Sequence, residues 1–273
     1  MEERRPANEI VSGVLDAIVR SKEAEIATLV KMPCQARSTG PRGIVASTLR
    51  RPASEPLRLI TEIKRKSPSA GALSCVLTPG ERALRYAHAG ASMISVLCDG
   101  PFFDGGWEHL TLARQALDAA NVTVPLLAKE FVLHERQVEE AAACGADAVL
   151  LIVRLLDRAK LTALVRAARS ARLEPLVEVV TEEELADALA ADALVIGVNA
   201  RDLDTLVMDA NRAARVLAAI PADRIPAHFS GLKSADDVRA VARSRAHAAL
   251  VGEALMRQDD PSALLASFVA AAR

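Results

Sequence analysis

The chain has 273 residues, of which 51% are hydrophobic and 25% are charged, and its formal net charge is −1 at pH 7. These proportions are typical of a globular protein with a large core, and the length suits one large α/β barrel or two small domains. The near-zero charge excludes the basic field that nucleic acids or membrane surfaces attract. No apolar signal segment opens the chain and no run approaches about 20 apolar residues, so we expect a cytoplasmic protein with no membrane partner.

The four cysteines are scattered without the CxxC spacing of a metal site or a redox motif. They stand at Cys34, Cys75, Cys98 and Cys144. We therefore expect reduced thiols and no bound metal.

The first predicted element is a long amphipathic helix, Asn8–Lys31. Its apolar face recurs at helical spacing, at Ile10, Val14, Ile18 and Ile26. A basic connector with Pro and Ser, Cys34–Pro56, follows it. We expect residues 1–56 to cap one end of the domain behind them, with a flexible tail as the alternative.

Short apolar segments then alternate with amphipathic helical patterns. The predicted strands are Leu59–Arg65, Ser92–Leu97, Pro125–Phe131, Ala146–Val153, Leu173–Val179, Leu194–Asn199, Arg224–Ser230 and His247–Gly252. The predicted helices are one from about Pro79, then His134–Cys144, Asp157–Ser170, Thr181–Ala190, Asp209–Ala218, Ser234–Ala242 and Pro261–Ala272. Eight such units predict a closed parallel barrel, whereas five or six would predict an open sheet. We therefore predict an α/β fold, a single (β/α)8 TIM barrel over residues 1–273 with an N-terminal helical extension.

Ionisable residues interrupt these strands near their C-terminal ends, where barrel enzymes build their active sites. Glu62 and Lys64 share one side of the first strand, so they can divide base and acid duties; a buried ion pair is the structural alternative. Lys129 and Glu130 end the third strand and Glu178 ends the fifth. Taken singly, the charged end of the third or of the fifth strand could be an ordinary salt-bridged residue. Charged residues at corresponding positions of several strands instead favour a functional site.

The sixth strand ends in residues suited to bind hydroxyls and anions. Asn199 can hydrogen-bond hydroxyl groups, and Arg201 can form a fork to a carboxylate. Arg201 could instead pair with Asp202 or Asp204.

The last two strands end at glycines, in Ser230-Gly231 and Val251-Gly252. The loops after strands seven and eight are the usual phosphate site of a barrel, because backbone N–H groups can approach the anion there. Either glycine taken singly would be an ordinary turn residue.

Two further loops are candidates for ligand contact. Residues 66–71 follow the first strand and could close over a ligand. Phe102 and Phe103 stand in the loop after the second strand, which suits either an aromatic substrate ring or ordinary loop packing.

These residues together resemble the indole-3-glycerol-phosphate synthase family. Residues 62–69 (EIKRKSPS) are similar to its first-strand signature, and residues 127–131 (LAKEF) to its Lys-Asp-Phe strand, with Glu130 in place of the usual Asp. The segments CGADAVLLIV, LVEV, IGVNARDL and LVGEALMR follow in the family's order. The N-terminal helix also looks like the family's extra helix, so the resemblance covers essentially the whole chain.

The resemblance implies a lyase of tryptophan biosynthesis that closes the indole ring of 1-(2-carboxyphenylamino)-1-deoxyribulose 5-phosphate, losing CO2 and water, without a metal or organic cofactor. It implies Lys129 as the general acid on the ribulose carbonyl oxygen, with Glu178 positioning and stabilising that chemistry. Glu62 and Lys64 would be the base and acid of the later dehydration. Asn199 would bind substrate hydroxyls.

The resemblance also implies a substrate-binding shell. Phe103 would pack against the anthranilate ring, and the ends of strands seven and eight would hold the phosphate, much of it through main chain. The shell would consist of Arg65, Ser67, Phe103, Arg201, Phe229, Ser230, Gly231, Gly252 and Glu253. The expected partner is a small phosphorylated substrate, and the expected state is a monomer or weak homodimer.

One position departs from the family pattern. Family members usually read Glu-Ser-Gly at the end of strand seven, but this chain reads Phe229-Ser230-Gly231. Either ordinary synthase activity survives, or the pocket is reshaped for a related substrate, or the protein is a silent binder. His228 does not replace the carboxylate, because strand alternation turns it away from the side of Phe229.

The retained acid and base residues argue against a silent binder. Those residues are Glu62, Lys64, Lys129, Glu178 and Asn199. A different phosphate-binding barrel, such as a sugar-phosphate isomerase, would leave the ordered lysines and Glu178 unexplained.

Overall fold

The computed structural model describes residues 13–33, 43–67 and 70–273. The start of the predicted N-terminal helix, most of the first half of the connector with Cys34, and the loop residues Pro68 and Ser69 lie outside the described residues.

Eight parallel strands close into a barrel in which the first strand pairs with both the second and the last. We number these barrel strands β1 (Arg58–Ile63), β2 (Met93–Leu97), β3 (Leu126–Lys129), β4 (Ala148–Ile152), β5 (Glu174–Val179), β6 (Val195–Asn199), β7 (Ile225–Phe229) and β8 (Ala248–Val251). The predicted α/β barrel is confirmed, and each strand lies within the segment predicted for it or one residue outside it.

The strands are apolar on both sides because both sides are buried. On β4, Val149 and Leu151 pack against the helices outside the barrel, whereas Leu150 and Ile152 belong to the cluster that fills its interior. Parallel strands covered on both faces therefore read as continuous apolar runs rather than as alternating ones.

Helices surround the barrel and connect its strands. They are α1 (Val14–Leu29), α2 (Val45–Leu49), α3 (Pro79–His88), α4 (Gly100–Phe103), α5 (Trp107–Ala119), α6 (Glu135–Ala143), α7 (Arg158–Ser170), α8 (Glu182–Ala190), α9 (Ala210–Ala219), α10 (Ala235–Ala242), α11 (Glu253–Met256) and α12 (Ser262–Ala271). A short hairpin joins Lys66–Ser67 to Gly71–Ala72, and a 3-10 turn spans Val153–Leu155. In the part of the chain that the structure describes, no helix is long and apolar enough to cross a membrane.

The helix α5 was not among the predicted helical patterns. Its N-cap is Gly106, and no side chain caps it. The helices α3 and α10, in contrast, begin with capping boxes at Thr78 and Ser234. Side-chain caps mark a helix start in the sequence, so α5 lacks the signal that identified its neighbours.

The N-terminal extension contacts both ends of the barrel rather than one. Leu15 and Ile18 of α1 line the cavity at the C-terminal ends of the strands. After α2, Arg51 donates to the carbonyl oxygens of Ala242 and Ala246 at 2.8 and 3.1 Å, before β8 begins. The extension therefore covers the mouth with one helix and reaches the opposite end with its connector.

Candidate active site

A cavity opens at the C-terminal ends of the barrel strands, where side chains from most of the strands converge. It is lined by every site residue predicted from the sequence except Arg65. Those lining residues are Glu62, Lys64, Ser67, Phe103, Lys129, Glu178, Asn199, Arg201, Phe229, Ser230, Gly231, Gly252 and Glu253. The structure therefore brings together residues that are spread over almost two hundred positions of the chain.

On one side of the cavity, a lysine, a glutamate and an asparagine from β3, β5 and β6 form a connected chain. Lys129 Nζ lies 3.5 Å from Oε2 of Glu178, whose side chain is buried. Asn199 Nδ2 donates to Glu178 Oε1 at 2.9 Å, and Arg201 N donates to Asn199 Oδ1 at 3.0 Å. Because Glu178 is held at one oxygen, its other oxygen remains directed at the ammonium of Lys129.

On β1, Glu62 and Lys64 form a second acid–amine pair. Lys64 Nζ donates to Glu62 Oε2 at 2.6 Å. This geometry is compatible with both interpretations of the pair, a purely structural ion pair and an acid and a base that act on a substrate. Burial by itself would raise the pKa of Glu62, but the ammonium groups of Lys64 and Lys129 outweigh it and hold that pKa below its ordinary value. Glu62 is therefore an ionised carboxylate at neutral pH and can accept a proton.

Gly252 leaves the space that the Glu62 carboxylate occupies. A Cβ built on Gly252 would overlap Glu62 Oε2 and would lie 3.2 Å from Glu62 Cβ. The residue after β8 must therefore be a glycine if the carboxylate is to remain beside Lys64.

We expect Gly252→Ala to displace the Glu62 carboxylate and lower kcat by about tenfold, less than the roughly 10²-fold cost of losing an acid–base group outright, because the carboxylate is shifted rather than removed. Steady-state kinetics of the variant measure this effect. The matched control is Gly13→Ala, because a Cβ at Gly13 meets nothing within 4 Å. If Gly252→Ala leaves kcat unchanged, the close approach of Gly252 to Glu62 does not contribute to catalysis.

The ends of β7 and β8 form a polar corner of the cavity. Ser230 and Gly231 have φ angles of 70° and 91°, which turns the chain sharply after β7. Such a conformation is uncommon for a residue other than glycine, and it recurs at ligand-binding turns. The side chain of Glu253 is occupied by Arg257, 2.7 Å away, so main-chain groups remain as its means of binding an anion.

The opposite side of the cavity is apolar and aromatic. The rings of Phe103 and Phe131 lie 5.9 Å apart at 38°, an arrangement favourable for aromatic pairs. Leu15 and Ile18 of α1 line the same cavity. Phe103 thus both packs against Phe131 and lines the cavity, so packing within the protein and contact with a substrate ring both remain compatible with its position.

Phe229 occupies the interior of the barrel, in the cluster of buried apolar side chains that fills it. Its side chain is buried, and its ring lies so close to β6 that a Cβ on Gly197 would be 2.8 Å from Phe229 Cε2. His228 faces the other way, with Nε2 3.0 Å from the carbonyl oxygen of Ser230. The prediction that strand alternation turns His228 away from the cavity is confirmed.

Arg201 reaches the cavity without an acidic partner from its own loop. Its Nη1 donates to the carbonyl oxygen of Leu206 at 3.1 Å. The alternative pairing with Asp202 or Asp204 is wrong, because both carboxylates bind Nη1 of Arg154, at 2.9 and 3.0 Å.

Arg65 is the predicted site residue that the structure does not place at the cavity. Its Nε lies 3.3 Å from Cys75 Sγ and 3.3 Å from Asp104 Oδ2, and its guanidinium is partly exposed. It follows Lys64 directly, and side chains that are adjacent in an extended segment point in opposite directions. The Arg65 guanidinium, which the family resemblance implied for the substrate, therefore pairs with the Asp104 carboxylate instead.

Several lining residues were missed by sequence reasoning. Lys233 is a cation two positions beyond Gly231, and this spacing could have identified it. The apolar lining residues carry no such signal, because an apolar side chain beside a cavity looks like any core residue. They are Val14, Leu15, Ile18, Leu97, Phe131, Leu150, Ile152, Leu203, Leu206, Leu232 and Leu250.

Three of the cysteines, Cys75, Cys98 and Cys144, fall in the described residues, and each is a thiol rather than half of a disulfide. Burial raises the pKa of the Cys98 thiol well above its ordinary value, so it is protonated. Residues 13–33, 43–67 and 70–273 contain no group of three His, Cys, Asp or Glu side chains placed to hold a metal ion.

A closed parallel barrel with acid–amine pairs at the C-terminal ends of its strands defines the class of (β/α)8-barrel enzymes. A model of the family described as indole-3-glycerol phosphate synthase matches residues 9–268. The chain belongs to the indole-3-glycerol phosphate synthase family.

Curated relatives with the name indole-3-glycerol phosphate synthase support this membership. One from Mycobacterium ulcerans (strain Agy99) is 39% identical over 264 residues, which cover 94% of each chain. One from Arthrobacter sp. (strain FB24) is 44% identical over 215 residues, which cover 79% of this chain and 77% of the relative.

Solved structures resemble the barrel at low sequence identity. A crystal structure of 3-hexulose-6-phosphate synthase has a TM-score of 0.62 at 19% identity and covers 80% of this chain and 100% of that one. Tryptophan synthase subunit alpha from Legionella pneumophila str. Paris has a TM-score of 0.58 at 15% identity, covering 80% and 92%. At these identities the likeness concerns the fold alone.

Proposed function

We propose that the protein closes the indole ring of 1-(2-carboxyphenylamino)-1-deoxyribulose 5-phosphate, with loss of CO2 and water, as an indole-3-glycerol phosphate synthase. The observation that carries the proposal is the convergence of two acid–amine pairs on one cavity. Lys129 with Glu178 and Lys64 with Glu62 both line it, between an aromatic side and the polar corner after β7 and β8.

In the first stage, the substrate's ring carbon that bears the carboxylate attacks the ribulose carbonyl carbon, and a carbon–carbon bond forms. Negative charge develops on the carbonyl oxygen, and the ammonium of Lys129 stabilises it and transfers a proton to it. Glu178 keeps Lys129 aimed, while its hydrogen bond from Asn199 keeps Glu178 in place. The carboxylate then leaves as CO2, and its bonding electrons restore the aromatic ring.

In the second stage, the hydroxyl formed from the carbonyl leaves as water. Lys64 donates the proton that the departing hydroxyl needs, and Glu62 takes the proton from the carbon next to the nitrogen. The new double bond completes the indole. The lowered pKa of Glu62 keeps the carboxylate ionised, which is the form that must accept the proton in this step.

The remaining lining residues serve binding in this proposal. Phe103 contacts the anthranilate ring, Asn199 and Arg201 contact polar groups of the chain between ring and phosphate, and Ser67 closes over the ligand. The phosphate lies in the polar corner, held by main-chain groups of Ser230, Gly231, Gly252 and Glu253, with Lys233 nearby. The proposal includes a cytoplasmic location, since a phosphorylated substrate does not cross membranes, and a monomer or weak homodimer.

Growth of indole fluorescence on addition of the carboxyphenylamino substrate tests this proposal. We expect turnover that follows enzyme concentration, together with release of one CO2 per indole formed. Absence of turnover at high enzyme concentration would contradict it; thermal stabilisation by the substrate without product would identify a binding protein instead.

A related substrate is the second candidate, and Phe229 is the observation that favours it. A buried ring stands where family members usually have a carboxylate, next to the groups proposed for chemistry. A pocket that has lost one negative charge at this point would suit a substrate with a different group there.

Phe229→Glu distinguishes the two candidates. If ring closure is the native reaction, we expect turnover of the carboxyphenylamino substrate to stay within about tenfold of the wild type, the range that one pocket contact commands. A larger rise in kcat/KM would favour the second candidate. Phe229→Leu is the matched control, because it removes the ring without adding a charge.

A further inference from the structure

Lys22, in the middle of α1, is a fully buried lysine surrounded by carboxylates. Its Nζ lies 2.7 Å from Glu25 Oε2, 2.8 Å from Asp99 Oδ1 and 3.1 Å from Glu130 Oε1. Burial by itself would lower the pKa of Lys22, but Glu130, Asp99 and Glu25 outweigh it and raise that pKa above its ordinary value. Lys22 is therefore charged and bonded to three acids, a costly arrangement unless its geometry is maintained.

Two of these acids belong to the segments that carry the aromatic side of the cavity. Asp99 caps α4, since its Oδ2 accepts from Phe102 N at 2.9 Å, and α4 ends at Phe103. Glu130 Oε1 accepts from Phe131 N at 2.7 Å. Lys22 thus ties together the two chain segments whose rings lie in contact.

The helix that carries Lys22 forms a third part of the same surface. Ile18 lies four residues before Lys22, so both side chains project from one face of α1. Ile18 and Leu15 line the cavity, whereas Lys22 does not. An anchor at Lys22 therefore determines how closely these apolar side chains approach the two rings.

We propose that Lys22 is a positioning residue that holds α1, α4 and the segment after β3 together, so that Ile18, Phe103 and Phe131 form a preshaped site for the aromatic ring of the substrate. This inference rests on the proposed function, which supplies that ring. Among the described residues, no hydrogen bond or ion pair joins Lys22, Asp99 or Glu130 to the polar corner after β7 and β8, so we expect phosphate binding to be independent of Lys22.

Binding and kinetics of Lys22→Met test the proposal. We expect KM for the carboxyphenylamino substrate to rise about tenfold or more, because misplaced binding groups lose much of their effect, while kcat falls less than about threefold. Calorimetry with anthranilate alone should show the same loss of affinity, and calorimetry with inorganic phosphate should show none. Lys22→Arg, which keeps the charge, should recover part of the anthranilate affinity.

The matched control is Arg114→Met. Arg114 is also buried and ion-paired, with Nη2 2.6 Å from Asp147 Oδ2, but Asp147 accepts from the first residue of β3, at the far end of the barrel. We expect this variant to lose stability without changing the ratio of anthranilate to phosphate affinity. If Lys22→Met does not fold, Asp99→Asn removes one partner of Lys22 and should weaken anthranilate in the same direction.

Unchanged anthranilate affinity, or equal weakening of both ligands, in the variant that folds would overturn the role of Lys22. The wild-type activity assay separates this outcome from failure of the proposed function. A wild type that binds both probes without turnover contradicts the proposed function alone, and the two affinities still decide the role of Lys22.

Discussion

Lys129→Met should lower kcat for ring closure by about 10²–10³-fold, the cost of losing one preorganised donor to a developing oxyanion. Methionine keeps the length and apolar stem of lysine but cannot donate a proton. Initial rates of indole formation measure the effect. We expect KM to change much less, because the interaction is strongest in the transition state.

Lys160→Met, on the outer helix α7, is the matched control for this substitution. It removes a lysine outside the cavity and should leave kcat unchanged. If the Lys129 variant kept a nearly wild-type kcat, Lys129 would not be the general acid. Lys64 would then be the first alternative to test.

Glu178→Gln should lower kcat by about 10²-fold, nearly as much as loss of the lysine itself, because it removes one preorganised charge from the site. The amide fits the same space, but it loses the negative charge that attracts Lys129 at 3.5 Å, and its single oxygen cannot accept from both Lys129 and Asn199 as the two carboxylate oxygens do. A neutral side chain at position 178 also no longer holds the Lys129 ammonium in the orientation that the reaction needs. Steady-state and single-turnover kinetics measure the loss.

A double-mutant cycle separates positioning from an independent catalytic role. If Glu178 acts through Lys129, Glu178→Gln should cost little when it is added to Lys129→Met, because residues that act as a unit are not additive. If the two decreases in kcat are fully additive, Glu178 acts on the reacting atoms directly and not through Lys129.

The barrel and most of its mouth were predictable because charges are costly inside buried strands. An apolar run interrupted by Glu178, or one ending in Lys129, is readable without a structure, and both side chains line the cavity. The family resemblance, in contrast, implied Arg65 at the substrate, but Arg65 lies one residue beyond Lys64 and its side chain contacts Asp104 instead. Position past the strand end does not explain the difference, because Lys64 also follows β1 and lines the cavity; the direction in which the side chain projects does.

Lys22 could not be recognised from the sequence. A lysine on an amphipathic helix predicts a solvated face, and only the packing of α1 on the barrel places it at 0% exposure among acids. The apolar residues that line the cavity could not be recognised either, since the sequence pattern predicts Ile18 to be an ordinary core residue of an amphipathic helix. The helix α5, with Gly106 at its N-cap, lacked the start signal that a side-chain cap provides.

The amino-acid sequence by itself determined the eight-unit barrel, the end of it that bears the site and the acid and amine residues available there. These features depend on local hydrophobic period and on residue type, which neighbouring positions in the chain decide. The tertiary structure alone decided the partners: Lys129 with Glu178, and Lys22 with Asp99 and Glu130. These pairs join residues far apart in the chain, so they depend on strand register and helix placement, which no local pattern contains.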